Sequence, residues 1–255
     1  MNSQLPSDMI IGHTVFNPSE SSSFKPINGA SFNTSYGDSS FVYGNVATDT
    51  VEIGGAVVEN QAFGLPTQIS ESFIHDTSSN GILGLASSKL NTIKPQKQKT
   101  FLENVADSLK EPVVTALLKN DQAGEYEFGT IDHSKYKDNL YNVSVDSSSG
   151  FWQFKSTHFA IGDENADFQN IKTPTTIADT GTSLMLVSPE VVDSYYAQVE
   201  GAVLSKGAGG VVFPCDAQLP NLSIAFGEEG VATIPGPIMS FAHAGTNRTT
   251  GKPCT

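Results

Sequence analysis

Residues 175–188 of the 255-residue chain read T-T-I-A-D-T-G-T-S-L-M-L-V-S. An apolar β-type run ends at Ile177 and Ala178, a second occupies 184–187, and the polar tetrapeptide Asp179-Thr180-Gly181-Thr182 lies between them. Glycine in the third place lets the backbone turn sharply and lets other main chain come close. The threonine hydroxyls are placed to bond neighbouring main chain. This pattern predicts one carboxylate, Asp179, held rigidly at the end of a buried strand and not left in a solvated turn. Such a loop demands sheets around it.

The composition supplies them. Only 16% of residues are charged, glycine is plentiful at 23, and there are 15 Phe and 7 Tyr, a balance that suits short strands and turns. With 27 acidic against 14 basic residues the formal charge is −13. So acidic a surface repels phosphate backbones and anionic lipid, so neither nucleic acid nor membrane is an expected partner. It also suits work at low pH, where protonation removes the self-repulsion. No run approaches the roughly 18 apolar residues of a membrane span, and residues 1–11 lack the basic and apolar regions of a secretory signal. Two cysteines, Cys215 and Cys254, and four Asn-x-Ser/Thr sequons at Asn33, Asn142, Asn221 and Asn247 nevertheless fit an extracytoplasmic protein. A bridge between the cysteines would close a loop of about 40 residues, worth roughly 4 kcal/mol; two unpaired buried thiols are the alternative. The five histidines have no metal-ligand spacing, so no metal is expected. Gly207-Ala208-Gly209-Gly210 does not open a helix after a strand, so no nucleotide loop is expected there, and no Gly-x-Ser-x-Gly is present to suggest a serine nucleophile.

Along the chain, 31–36 alternates, turns through Gly37-Asp38-Ser39-Ser40, resumes over 41–53 and ends at Gly54-Gly55, a long hairpin signal. A further strand is expected over 56–65, an irregular stretch over 71–79, and a tight apolar run over 81–86. Thr100 and Glu103 form a capping box that predicts a helix to about Lys110, with Pro112 stopping it. Strands follow over 113–118, 124–131, 140–145, 151–154 and 158–161, with the polar stretch 132–138 as the candidate boundary. Ser188-Pro189-Glu190 is a helix start presenting Val191, Val192, Tyr195, Tyr196 and Val199. The last strands are expected over 211–215, 222–226 and 231–234.

Ala178-Asp179-Thr180-Gly181-Thr182-Ser183 resembles the second catalytic motif of the pepsin-like aspartic proteases, and other stretches line up with it in order. Tyr36-Gly37-Asp38-Ser39 resembles the flap, where the family more often has glycine in place of Ser39. Asn80-Gly81-Ile82-Leu83-Gly84-Leu85 is similar to an Asp-Gly-Ile-Leu-Gly-Leu run, with Asn80 in place of the acid. Phe151-Trp152-Gln153-Phe154 resembles the aromatic strand that opens the C-terminal lobe. The texture is similar to secreted fungal members of the endothiapepsin and penicillopepsin type.

The resemblance implies an all-β, bilobal pepsin-like acid protease fold with a few short helices, residues 1–136 forming the N-terminal lobe with the flap and 137–255 the C-terminal lobe. It implies Asp179 as a catalytic carboxylate, with Gly181 and Thr182 beside it. Tyr36 would cover the catalytic carboxylates, Gly37 and Asp38 would bond substrate main chain, and Phe73 and Ile82 would wall an apolar pocket. Cys215 and Cys254 stand where that lobe carries its disulfide. Expected partners are protein and peptide substrates and pepstatin-like inhibitors, acting on a monomer that needs no cofactor. The family uses two Asp loops, whereas this chain has one Asp-Thr-Gly. The family places its first loop ahead of Asn2 and its last strands beyond Cys254, so both lobes are expected to be incomplete, with the chain an internal piece of a longer enzyme and inactive alone. The alternative is a non-catalytic protein that keeps the groove to bind a peptide or an inhibitor.

Overall fold

The computed structural model describes residues 1–119, 122–137, 139–240, 245–246 and 253–254. The chain divides into two compact units, Met1–Asp138 with Ser147–Phe151, and Asn139–Asp146 with Trp152–Thr255. Strands dominate both, and the helices are short.

The first unit is built on one long antiparallel meander, β1 (Lys25–Ser35), β2 (Phe41–Ile53) and β3 (Ala56–Ile69), in the order β1-β2-β3. Ala30 and Val46 from the meander meet Ile93 in a small core with Phe32 packed against it. Gly54 and Gly55, at φ +58° and +83°, close the second hairpin in two residues, a turn that only left-handed backbone makes this tightly. At Gly44 the strands come so close that a Cβ would sit 2.1 Å from the Leu65 carbonyl oxygen, so no other residue fits. Asp49 is buried on β2 and accepts hydrogen bonds from the hydroxyls of Ser21 and Ser23 and from the Thr50 amide.

After β3 comes α1 (Glu71–His75), over a stretch whose polar composition predicts no regular structure. Next is α2 (Phe101–Val105), where Thr100 caps the helix by accepting from the Glu103 amide. The Glu103 carboxylate also takes the Ser88 amide at 2.8 Å and the Ser87 hydroxyl at 3.2 Å, pinning that loop to the helix. The α-helix stops at Val105, short of the expected Lys110, and tightens into a 3-10 turn over Ala106–Ser108, where the Ser108 hydroxyl donates to the Val105 carbonyl. A short hairpin follows, β4 (Val114–Leu117) against β5 (Glu125–Phe128), with Lys135 bridging Glu125 and Glu127 at 2.8 Å each.

In the second unit the strands are β6 (Gln153–Lys155), β7 (His158–Ile161), β8 (Gln169–Asn170) and β9 (Thr175–Ile177). They precede α3 (Pro189–Tyr196), β10 (Val203–Ser205), β11 (Gly210–Val212), β12 (Leu222–Phe226), β13 (Gly230–Ile234), β14 (Gly245–Thr246) and β15 (Pro253–Cys254). The central sheet runs β13-β12-β7-β8, and α3 packs on it. Val191, Tyr195 and Val199 meet Phe159, Ile161 and Leu222 in a closed apolar core. Each large side chain in it contributes about 1.5–3 kcal/mol by leaving water. The Tyr195 hydroxyl satisfies itself on the Pro220 carbonyl at 2.8 Å.

Two expected strands do not form. Residues 140–145 are irregular and make no ladder, and 184–187 run as irregular backbone with Leu186 81% exposed. Both stretches are apolar enough to read as strands, but no neighbouring strand among the described residues takes up their hydrogen bonds.

Candidate active site

Asp179 stands two residues past the end of β9. The short pairing of β9 with β6 sets Ile177 opposite Gln153, and the Ala178 amide then donates to the Trp152 carbonyl at 3.0 Å, extending the ladder to the residue before the carboxylate. The loop itself does the aiming. The Gly181 amide donates to Asp179 Oδ1 at 2.8 Å, and the Thr182 hydroxyl donates to Oδ2 at 2.7 Å. Each oxygen is therefore fixed by one donor and keeps lone-pair capacity for another. The sequence predicts glycine at 181 for a sharp turn; the structure gives a different reason. Its Cβ, if present, would stand 3.2 Å from Asp179 Oδ1, tight enough to displace the carboxylate. The expectation of a buried strand beneath Asp179 is corrected. β9 is three residues long, Ile177 is exposed, and the carboxylate is held by its own loop and not by burial.

In the first unit, Tyr36 stands at the mouth of the turn between β1 and β2. Its amide donates to the Ser40 carbonyl at 2.8 Å, and the Ser39 amide donates to the Tyr36 carbonyl at 3.0 Å. Ser39 adopts φ +69°, a left-handed conformation that costs a non-glycine residue about 1–2 kcal/mol. Gly37 and Asp38 are exposed at the tip. The Ser40 hydroxyl and amide hold the Asp38 carboxyl below the usual carboxylate range. Half-burial pushes the Tyr36 phenol upward, and its ring meets Phe73 edge-on with centroids 5.6 Å apart.

What brings Phe73 there is Ser70, a residue that sequence reasoning passes over. Its amide donates to the Phe41 carbonyl at 3.0 Å and its hydroxyl accepts from the Phe41 amide at 2.6 Å, tying the start of α1 to the start of β2. A serine directly before Glu71 was the available signal. His13 anchors the segment after α1, its two ring nitrogens lying 3.1 and 3.2 Å from the carbonyls of Ile74 and Ser79. Asn80, which stands where an acid is expected, accepts from the Thr14 amide at 2.8 Å. Ile82 is 61% exposed in the irregular segment that follows. Tyr36, Gly37, Asp38 and Phe73 thus gather around one hairpin, while Asp179, Gly181 and Thr182 gather in the other unit. Cys215 follows β11, and the Cys254 side chain lies outside the described residues, as does Asn247. Among the described residues, no three His, Cys, Asp or Glu side chains are grouped to hold a metal ion, and no helix is long and apolar enough to cross a membrane.

The family model for eukaryotic aspartyl proteases matches residues 2–254. An aspergillopepsin A-like aspartic endopeptidase of Aspergillus fumigatus is 55% identical over 253 residues, covering 99% of this chain and 59% of its own length. The aspartic protease PEP3 of Coccidioides posadasii is 48% identical over 252 residues, 98% of this chain and 57% of its own. Penicillopepsin-1 of Penicillium janthinellum is 41% identical over 249 residues, 97% of this chain and 74% of its own. The chain thus spans somewhat more than half the length of the first two. A crystal structure of an aspartic proteinase from Irpex lacteus superposes with a TM-score of 0.69 at 20% identity, over 88% of this chain and 66% of that one, which establishes the likeness of fold.

Proposed function

The chain belongs to the eukaryotic aspartyl protease family, and on that premise we propose that the protein hydrolyses peptide bonds at acidic pH with Asp179 as one of two catalytic carboxylates. Two carboxyl groups close together cannot both ionise comfortably, so they share a proton and titrate as a pair. One takes a proton from water while the other gives one to the scissile carbonyl. The single observation that carries this reading is the double tether on Asp179, with one oxygen held by Gly181 and the other by Thr182. A carboxylate fixed in this way needs no reorganisation when the reaction begins. These 255 residues supply one Asp-Thr-Gly.

In the same reading, residues 1–136 are the N-terminal lobe and 137–255 the C-terminal lobe. Gly37 and Asp38 bond the main chain of an extended peptide, and Tyr36 packs over it. Phe73 and Ile82 form an apolar wall for a bulky side chain next to the cut. Substrates are proteins and peptides, pepstatin-like inhibitors compete with them, and the protein works as a monomer without metal or cofactor. It is secreted and glycosylated, with a Cys215–Cys254 bridge. The two cysteines, the four sequons and the acidic surface support that part. The test is cleavage of an extended peptide with apolar residues flanking the cut, by the protein at its full natural length and at about pH 4, near the reference carboxylate pKa. Cleavage blocked by pepstatin is expected. Pepstatin binding without cleavage would reduce the site to a binding groove, against this reading.

A further inference from the structure

We propose that Asn33 is an N-glycosylated residue and that the glycan core covers an exposed aromatic pair beside it, an inference that rests on the secretion reading above. Three sequon asparagines fall among the described residues, and their surroundings differ. Asn221 is engaged: its side-chain oxygen accepts from the Gly236 amide at 3.0 Å, its carbonyl accepts from the Gly162 amide, and the sequon serine Ser223 shares a hydrogen bond with Thr233. A carboxamide held in place to support main chain is a poor acceptor. Asn142 is exposed on irregular backbone, with Tyr141 turned edge-on to Phe226. Asn33 combines exposure with a prepared surface.

That surface follows from register. Asn33 pairs directly with Tyr43 across β1 and β2, so the two side chains share a face, and Ser35 pairs with Phe41 on the same face. Phe41 and Tyr43 are 37% and 38% exposed, and their rings lie nearly parallel, 17° apart with centroids at 6.0 Å. Two stacked aromatic rings left in water on one face of a hairpin offer the apolar plane that the C–H face of a sugar ring packs against. Room is present on both sides. Asn33 stands between two open hollows of about 730 and 390 Å³, and Tyr43 lines the second.

The chemistry is a group transfer. Asn33 Nδ2 forms a bond to the anomeric carbon of an oligosaccharide carried on a polyprenyl pyrophosphate. The bond from that carbon to the phosphate oxygen breaks, and the lipid pyrophosphate leaves with the electron pair. One amide proton passes to a base, and nothing is oxidised or reduced.

The experiment maps occupancy by peptide mass spectrometry on the protein purified from the culture medium of a eukaryotic secreting host, before and after enzymatic deglycosylation. Asn33 is expected to be occupied and Asn221 bare. Asn33→Gln and Ser35→Ala should each remove one glycan, and Ser35→Thr should retain it. Deglycosylation is expected to lower Tm by about 2–4 °C, a shift that Tyr43→Ser abolishes because the surface under the sugar is gone. An unmodified Asn33 in secreted protein that carries a glycan at Asn142 would overturn the inference while leaving secretion intact. Protein retained inside the cell with every sequon bare would overturn both. A glycan at Asn33 whose removal leaves Tm unchanged would overturn the packing on Tyr43.

Discussion

The Thr182 hydroxyl decides more about Asp179 than its small size suggests. It is the donor to Oδ2, as the Gly181 amide is to Oδ1, and hydrogen bonds to a charged group are worth about 1.5–3 kcal/mol. If Asp179 acts as proposed, Thr182→Val lowers kcat/KM by about 10-fold or more with KM little changed, and Thr182→Ser restores most of it. Equal activity in Thr182→Val and wild type would remove the hydroxyl from the mechanism. A second carboxylate sets acid stability. Asp49 is held below the usual carboxylate range, first by the Ser23 hydroxyl and then by Ser21 and the Thr50 amide, against the opposing effect of burial. A depressed folded-state pKa gives stability that is present above the unfolded value and lost as pH falls through the folded one. Asp49→Ala therefore lowers Tm at neutral pH, leaving three donors without their acceptor, and the gap to wild type narrows as the pH is taken below the ordinary carboxylate range. Chemical denaturation across pH 2–7 reads this directly.

At the scale of elements, the second unit depends on α3 seating against β7 and β12. Tyr195 is buried there, and burial followed by the neighbouring Tyr196 pushes its phenol up to about 12, so it remains a donor to Pro220 at every working pH. Tyr195→Phe should cost about 1–3 kcal/mol, because the Pro220 carbonyl loses its partner. Phe159→Ala should cost about 3–5 kcal/mol through the cavity it leaves. Scanning calorimetry should place the first well above the second. This helix was legible because Ser188-Pro189-Glu190 marks its start. The β1–β3 meander was legible because alternation and the Gly54-Gly55 pair mark its strands and second turn, whereas the register shifts after Pro26, Tyr43 and Asp49 were not legible. Other elements depend on distant partners and could not be read this way. Glu103 also reaches Ser87 and Ser88, sixteen and fifteen residues back. Residues 184–187 have the composition of a strand without a neighbour to pair with. The short α1 rests on Ser70 reaching β2. In the candidate site, Asp179 with its glycine and threonine could be read from sequence order alone, whereas the edge-on meeting of Tyr36 and Phe73 could not.

At the scale of the molecule, an acidic all-β chain belonging to the aspartyl proteases covers somewhat more than half the length of its first two relatives, so its chemistry has to be tested in the full-length protein. If the Cys215–Cys254 bridge forms as proposed, Cys254→Ser should destabilise the second unit by about 2–5 kcal/mol and leave the unfolding of the first unchanged. Differential scanning calorimetry with and without a thiol reductant separates the two. The most direct test of the central claim is Asp179→Asn in the full-length protein, with peptide hydrolysis measured beside wild type at about pH 4 and folding checked by an unchanged Tm. Loss of about 100-fold to 10,000-fold in kcat is the expected result, because the asparagine keeps the shape of the loop and removes its proton chemistry. Hydrolysis at the wild-type rate by folded Asp179→Asn protein would contradict the account.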